Sequence, residues 1–340
     1  MNSILIVRLG ALGDLVHAIP VAAALRAAYP AARIDWIASA RYRELLDLVP
    51  AIDRRLAVTV GPGLIRAVPA LRAARYDAAI DLQGLLISAM LARASGARQV
   101  VGFSSTYLRE KPARLFYTRT HNPGGAALLD AAEPEHIVRT NLRLLEAFGI
   151  AAAEPQFPIA AVASDIADRV RERTRGRYAL INAGAAWPNK RWPAERFGAV
   201  ARWLRERHDL TSMVIWGPGE SPLARQVVRE SAGAAEALPP TSIRDLVALA
   251  RGAALMVSGD TGPTHVAAAV GTPIVAMYGP TRPSRNGPWS DRALTISRYD
   301  ACSCHHLRRC RRGTVCLAEV EEAEVTRAVD RRLAAEPVGA

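Results

Sequence analysis

Three loops in this 340-residue chain carry residue types that could move a proton and hold a phosphate. The first follows the apolar run Ile4-Leu-Ile-Val7 and reads Arg-Leu-Gly-Ala-Leu-Gly13-Asp14. A carboxylate at position 14, where loop becomes helix, is placed to accept the proton of an incoming hydroxyl. Its plainer role is a helix cap or a first-turn charge. The second loop, Asn182-Ala-Gly184-Ala-Ala-Trp-Pro-Asn-Lys190-Arg-Trp-Pro193, leaves a strand and places two adjacent cations before a Pro-started helix. Lys190 could meet a departing phosphate as a point charge, or be a solvated loop cation. The third is Gly259-Asp260-Thr261-Gly262-Pro263-Thr-His265 between the strand Leu255–Ser258 and the helix Pro263–Val270. Asp260 and Thr261 are good N-cap types and Pro263 suits a first helical turn, so backbone N–H groups and the helix dipole can bind phosphate there. An ordinary βα turn is the alternative. A fourth turn, Trp216-Gly-Pro-Gly-Glu220, offers a carboxylate for ribose hydroxyls or simply a surface acid.

Two compositional features sharpen these readings. The net charge is +12, yet the arginines are scattered and no nucleic-acid-binding signature occurs, so nucleic acid is not the expected partner. Anionic small molecules and lipid surfaces suit a dispersed positive field better. Only Lys111 and Lys190 are lysines among 44 basic residues. Lysine is compact where arginine is a wide planar fork, so either lysine marks a place where the fork does not fit, or stands there by chance. All four cysteines fall in Cys302-Ser-Cys304-x5-Cys310-x5-Cys316. That clustering suggests a structural zinc or iron clip, with His305 and His306 as substitute ligands, or else free thiols.

The elements that position these loops alternate. Ile4–Val7, Arg33–Ala38, Ala78–Leu82 and Gln99–Phe103 read as strands, with helices over Asp14–Tyr29 and Leu85–Ser95. After a Pro- and Ala-rich break at Ala151–Ser164 the pattern resumes, with strands at Tyr178–Ala183, Ser212–Trp216, Leu255–Ser258 and Pro273–Tyr278. Between them run helices at Pro193–His208, Pro222–Ser231, Ile243–Arg251 and Pro263–Val270, and Glu319–Ala335 closes the chain. Strands separated by helices of this length imply parallel α/β sheets. The expected organisation is a first domain over 1–155, a second over 165–318, and a terminal helix and tail over 319–340, with ligands at the strands' carboxyl ends and in an interdomain cleft. The G-x-x-G at positions 10 and 13 lacks the dinucleotide fingerprint, which disfavours an NAD enzyme. Arg8 and Asp14 interrupt the N-terminal apolar run, so a signal peptide and a membrane span are not expected and the cytoplasm is.

Together Leu5–Pro20, Asp81-Leu-Gln83-Gly84, Asn189-Lys-Arg-Trp-Pro193, Gly259–His265 and Tyr278-Gly-Pro-Thr281 resemble, in order and across nearly the whole chain, the family-9 glycosyltransferases, the ADP-heptose:lipopolysaccharide heptosyltransferases. The Cys302-Ser-Cys304 spacing and the loop at 183–189 depart from the common pattern. The resemblance implies a GT-B fold of two Rossmann-like domains and an inverting transfer that needs no metal cofactor. Asp14 would be the general base and Lys190 would stabilise the leaving nucleotide diphosphate. Asp260, Thr261, Gly262 and His265 would line the donor pocket together with Asn182 and Gly184, and Glu220 would hold the ribose. Gly13, Gln83, Arg109 and Lys111 would face an anionic Kdo–lipid A-like glycolipid at the inner face of the inner membrane. A nucleotide-sugar epimerase or hydrolase, or a sugar-nucleotide-binding protein without catalysis, are the alternatives the architecture allows.

Overall fold

The computed structural model describes residues 1–124, 127, 135–151, 153–305, 307–310 and 315–335. The chain divides into two compact units, Met1–Ala160 and Ala161–Ala340. Among the described residues each builds one six-stranded, all-parallel sheet.

In the first unit the strands are β1 (Ser3–Val7), β2 (Arg33–Ser39), β3 (Arg54–Val58), β4 (Ala78–Asp81), β5 (Gln99–Phe103) and β6 (Arg119–His121). They lie in the order β3-β2-β1-β4-β5-β6. The interior strand β1 is apolar without alternation because both its faces are covered; Ile4, Leu5, Ile6 and Val7 are wholly buried. Burying each such side chain contributes about 1.5–3 kcal/mol. The order reverses between β1 and β4, and the loops leaving their carboxyl ends there are Arg8–Ala11 and Leu82–Leu85. A ligand of an open α/β sheet binds at such a reversal.

The second unit repeats the plan. Its strands are β7 (Tyr178–Asn182), β8 (Thr211–Val214), β9 (Ala235–Ala237), β10 (Leu255–Gly259), β11 (Ile274–Tyr278) and β12 (Ala293–Ser297). Their order is β12-β11-β10-β7-β8-β9, so the reversal falls between β7 and β10. The C-terminal helix Glu322–Ala334 is part of this unit's core: Val325 and Val329 pack with Phe197, Ile181 and Met277.

The expected helix over Asp14–Tyr29 is two helices, Leu12–Val16 and Ile19–Ala28. Pro20 has no N–H and its ring would strike the carbonyl of Val16 in a continuous helix. The chain breaks at His17-Ala18 and restarts with Pro20 in the first turn. The other expected helices and strands agree to within three residues at each end, and Gln99–Phe103 agrees at both, while β3, β6, β9 and β12 and the helices Pro62–Ala73, Ile137–Arg143 and Asp165–Thr174 were not expected.

Candidate functional site

Most of the residues singled out by the sequence lie after the strands of the two sheet reversals, one group in each unit, while Glu220 follows β8, Arg109 and Lys111 follow β5 and the cysteines cluster apart. In the first unit Asp14 is the third residue of the helix Leu12–Val16. The Ala11 backbone N–H donates to its Oδ2 at 2.8 Å, and the Arg8 guanidinium pairs with its Oδ1 at 2.9 Å. The Asp14 side chain remains 39% exposed, so one face of the carboxylate is open to solvent. Arg8 also donates to the Leu82 carbonyl. It was missed in the sequence because an arginine at the end of a strand carries no local signal of its partner.

The neighbouring loop is braced from below. Asp81 is fully buried at the end of β4 and accepts hydrogen bonds from the Gln83 N–H at 2.9 Å, the Ser88 hydroxyl at 2.9 Å and the Tyr117 hydroxyl at 2.7 Å. Burial pushes its pKa up against those bonds. Gly84 sits at φ +68°, which favours glycine, and lets the chain turn back to the helix Leu86–Ala94. Gln83 spends its side-chain oxygen on the Leu9 N–H at 2.7 Å, so it ties the β4 loop to the β1 loop. Gly13 lies half-buried beside Asp14. Arg109 and Lys111 are exposed on the segment leading into the short 3-10 helix Lys111–Phe116. Glu110 between them accepts the Leu86 N–H at 2.6 Å, which ties that segment to the start of the next helix.

In the second unit the centre is Asp260, at the end of β10. Its Oδ2 accepts from Lys190 Nζ at 2.5 Å and from the Thr281 hydroxyl at 2.5 Å, and its Oδ1 faces His265 Nε2 at 3.5 Å. Burial alone would raise its pKa, but the His265 hydrogen bond and the Lys190 charge outweigh burial and hold the carboxyl well below the ordinary carboxylate range. Asp260 is therefore an anion at any physiological pH, and its acceptor capacity is committed to these three partners. Lys190 also lies 4.5 Å from the centre of the Trp187 ring, and its side chain is 15% exposed. The ammonium is thus gripped on two sides, with a narrow face left for a ligand.

Asn182 ends β7 and bonds Thr261 Oγ1 at 3.0 Å while its oxygen accepts the Gly184 N–H at 3.2 Å. It ties the β7 loop to the β10 loop. Thr261 is the N-cap residue of the helix Gly262–Ala269, yet its hydroxyl makes no cap bond and is shared by Asn182 and Thr264. The helix's first N–H groups have no intrahelical acceptor by construction, and they point out from the sheet reversal. A Cβ on Gly184 would collide with the Glu220 carboxyl, which is anchored by the Gly217 N–H at 2.9 Å. This close approach brings Glu220 to the same loop as Asn182. Thr281, Trp187 and Thr264 were not singled out in the sequence: Thr281 reaches Asp260 across 21 residues, while Trp187, only three residues before Lys190, carries no signal that its ring faces the ammonium.

The cysteines form a small buried cluster of their own: Cys302, Cys304 and Cys316 are buried and Cys310 packs against them. None is in a disulfide. Burial and the adjacent Cys302 thiol push the Cys316 thiol up to about 12. Among the described residues no group of three or more His, Cys, Asp or Glu side chains is arranged so that it could hold a metal ion. His305 is turned away: it stacks on Tyr299 with ring centres 4.0 Å apart and bonds the Tyr299 carbonyl at 2.7 Å. His306 lies outside the described residues.

The family model described as glycosyltransferase family 9 (heptosyltransferase) matches residues 64–315. Lipopolysaccharide heptosyltransferase 1 of Escherichia coli (strain K12) is 28% identical over 298 residues, covering 84% of this chain and 90% of its own. Lipopolysaccharide core heptosyltransferase OpsX of Haemophilus influenzae is 25% identical over 311 residues, 88% of this chain and 85% of its own. Among solved structures, E. coli heptosyltransferase WaaC with ADP aligns over 97% of this chain and 99% of its own, with a TM-score of 0.76 at 24% identity, a likeness of fold.

Proposed function

Because the chain belongs to glycosyltransferase family 9, the heptosyltransferases, we propose that it moves a heptose from a nucleotide-activated donor, ADP-heptose in the first instance, to the inner core of lipopolysaccharide with inversion. In a single displacement the acceptor hydroxyl loses a proton while negative charge gathers on the departing diphosphate. The reaction needs a base for the first and fixed positive charge for the second.

The open carboxylate of Asp14 suits the base, with Arg8 orienting it. Lys190, the N–H groups at the start of the helix Gly262–Ala269 and the Thr261 hydroxyl suit the diphosphate. In this reading those cationic and amide groups supply the fixed positive charge that offsets the departing diphosphate. Asp260 itself is unsuited to touch a pyrophosphate, since its full charge would repel it; its part is to hold Lys190, Thr281 and His265 in place. Glu220 would accept the ribose hydroxyls. The observation that carries the reading is the grip of Asp260 and Trp187 on Lys190 beside a helix N-terminus.

For the acceptor, the first unit carries a mixed apolar and basic surface. Leu86, Ile87 and Met90 are exposed on one helix, and Leu115, 81% exposed, lies on the adjoining 3-10 helix with Lys111 and Arg114, Arg109 standing just before it. Apolar side chains among cations suit a phosphorylated glycolipid and the acidic leaflet that contains it. Peripheral attachment at the cytoplasmic face of the inner membrane is the corresponding location. Among the described residues no helix is long and apolar enough to cross a membrane.

The test is ADP release from ADP-heptose with and without a Kdo–lipid A acceptor. Release that depends on the acceptor, with heptose found on the glycolipid, is the expected result. Acceptor-independent release or conversion would point to a hydrolase or epimerase, and binding with no turnover would point to a sugar-nucleotide-binding protein.

A further inference from the structure

Among the described residues the large apolar side chains that face water are Val60, Ile65, Leu86, Ile87, Met90 and Leu115, besides Met1 and Leu307. Scattered singly, such residues are ordinary on a protein surface. The first six instead stand on three neighbouring segments of the first unit: the helix Pro62–Ala73 with the turn before it, the helix Leu86–Ala94 and the 3-10 helix Lys111–Phe116. A contiguous apolar patch rimmed by charge marks a surface that meets something.

The helical pattern shows that these residues are not misplaced core. In Pro62–Ala73 the inward residues are Leu64 and Leu71, and Ile65 stands one position round from the first, 77% exposed. In Leu86–Ala94 the inward residues are Ser88, Ala89, Leu91 and Ala92, while Leu86, Met90 and Arg93 share the outer stripe at i, i+4 and i+7. The outer stripe of a helix that faces only water is ordinarily polar.

The charges on the three segments have one sign. Arg66, Arg72, Arg93, Lys111 and Arg114 are exposed, and none of the segments contains an aspartate or glutamate. Glu110, directly before Lys111, commits its carboxylate to the Leu86 N–H. The strands that feed the segments, β3, β4 and β5, run parallel to β1, so their carboxyl ends share one rim with the loop before Asp14. Val60 and Ile65 stand at the start of one helix, and Leu86 and Ile87 at the start of the next, which brings both apolar ends to that rim. The two helices pack together, with Arg72 Nε donating to the Ala94 carbonyl at 3.1 Å, and Lys111–Phe116 packs on the second.

Apolar side chains among cations, with no free carboxylate beside them, match a surface that is apolar beneath an anionic skin. A bilayer containing acidic phospholipid has that construction everywhere, whereas a protein partner would need an acidic and apolar patch in register. We propose that the helix Pro62–Ala73 extends the acceptor surface into a membrane anchor, with Val60, Ile65 and Leu115 entering the boundary between headgroups and acyl chains while the neighbouring arginines and Lys111 meet lipid phosphates. The anchor sets the Asp14 rim against the leaflet from which a lipid-linked acceptor hydroxyl emerges. That purpose rests on the transfer reading above; the affinity for lipid does not.

Flotation with vesicles of phosphatidylethanolamine and phosphatidylglycerol is the direct test, with phosphatidylcholine vesicles as the control. The native chain should float with the first and far less with the second, and the difference should shrink as salt is raised. Ile65→Ser removes a side chain that supports no core, so the melting temperature should hold while binding to the anionic vesicles falls about tenfold; adding Val60→Ser should weaken it further. On a water-soluble, deacylated acceptor Ile65→Ser should transfer heptose at the native rate, and on acceptor embedded in vesicles it should lose about tenfold in kcat/KM. Absence of flotation by the native chain, or flotation that Ile65→Ser leaves unchanged, overturns the anchor. Equal binding to phosphatidylcholine overturns the part given to the cations. A dimer in lipid-free solution that Ile65→Ser dissociates, with no binding to vesicles, makes the face an interface between copies and overturns the anchor as well. Flotation as expected with no heptose transfer to either acceptor refutes the transfer reading and leaves the anchor standing.

Discussion

Replacing Asp260 by asparagine removes one charge from the most heavily bonded carboxylate of the second unit. In the native protein Asp260 and Lys190 are 9% and 15% exposed, so the pair is largely withdrawn from water. Breaking such a pair from one side costs about 3–5 kcal/mol, because the surviving charge keeps its desolvation penalty. Two features reduce that figure here. Asparagine still accepts one of the hydrogen bonds from Thr281 or Lys190, and the Trp187 ring continues to stabilise the ammonium. A net loss of about 3 kcal/mol is reasonable, which for a unit of this size is about 6–12 °C in melting temperature. Donor nucleotide should then rescue the variant more than it stabilises the native protein, since the diphosphate supplies the anion Lys190 has lost. Differential scanning calorimetry with and without saturating ADP reads both effects. A melting temperature within a degree or so of wild type would mean that the ion pair does not hold Lys190. An equal ADP shift in the two proteins would mean that Lys190 does not meet the nucleotide.

The other perturbations separate roles. Asp14→Asn keeps an acceptor for the Ala11 N–H and loses only a partly screened ion pair, so thermal stability should stay nearly unchanged while turnover falls about 10²-fold and ADP affinity is retained; near-native turnover would remove Asp14 from the chemistry. Lys190→Arg keeps the charge but forces a planar fork into the gap between Asp260 and Trp187, and steady-state kinetics should show roughly a tenfold loss of kcat/KM, smaller than the ~10²–10³ of deleting a transition-state donor outright. Gly184→Ala drives a methyl into the Glu220 carboxyl and should weaken ADP binding by about 10- to 100-fold, read by calorimetry, with little change in the first unit. Asp260 has a folded pKa depressed below its unfolded value near 3.9, so its stabilisation is present above that value and lost as pH falls through the lower one. The melting-temperature gap between wild type and Asp260→Asn should therefore be flat from pH 8 to about 4.5 and narrow only at lower pH.

What the sequence made legible follows from how local each signal is. The strands β1, β7, β10 and β11 are interior, covered on both faces, and written as unbroken apolar runs. The edge strand β3 reads Arg-Arg-Leu-Ala-Val and is mostly half-exposed, while β6 and β9 are three residues long, so neither pattern nor length announces them. Asp14, Lys190 and the Asp260–Gly262 turn stand where a strand gives way to a loop, which chain order alone reveals. Their partners do not. Thr281 meets Asp260 across 21 residues and Lys190 meets it across 70, so no window of sequence contains the contact. The scarcity of lysine pointed to Lys190 more than to Lys111, for which chance was the plainer account; Lys111 is exposed and Lys190 is wedged between a carboxylate and an indole ring.

The two sheets share one strand order, and each carries an aspartate in the segment that follows a strand of its reversal point, Asp260 directly after β10 and Asp14 in the helix after β1, yet the two carboxylates are built for opposite tasks. Asp260 is 9% exposed and spends its oxygens on Lys190, Thr281 and His265. A proton could reach it only by displacing one of those partners, and its depressed pKa makes it a poor base at neutral pH. It is a fixed counter-charge that orients a cation. Asp14 has one guanidinium and one backbone N–H, and 39% of its side chain faces water. An oxygen lone pair there can meet a substrate hydroxyl without any rearrangement of the fold. The same topology, used twice, thus yields a locked anion that serves an electrophilic cation and an open anion that serves proton transfer. If Asp14→Asn and Asp260→Asn were to lose turnover equally while both kept wild-type ADP affinity and melting temperature, this division of labour would be wrong, because a locked counter-charge cannot be removed without disturbing what it holds.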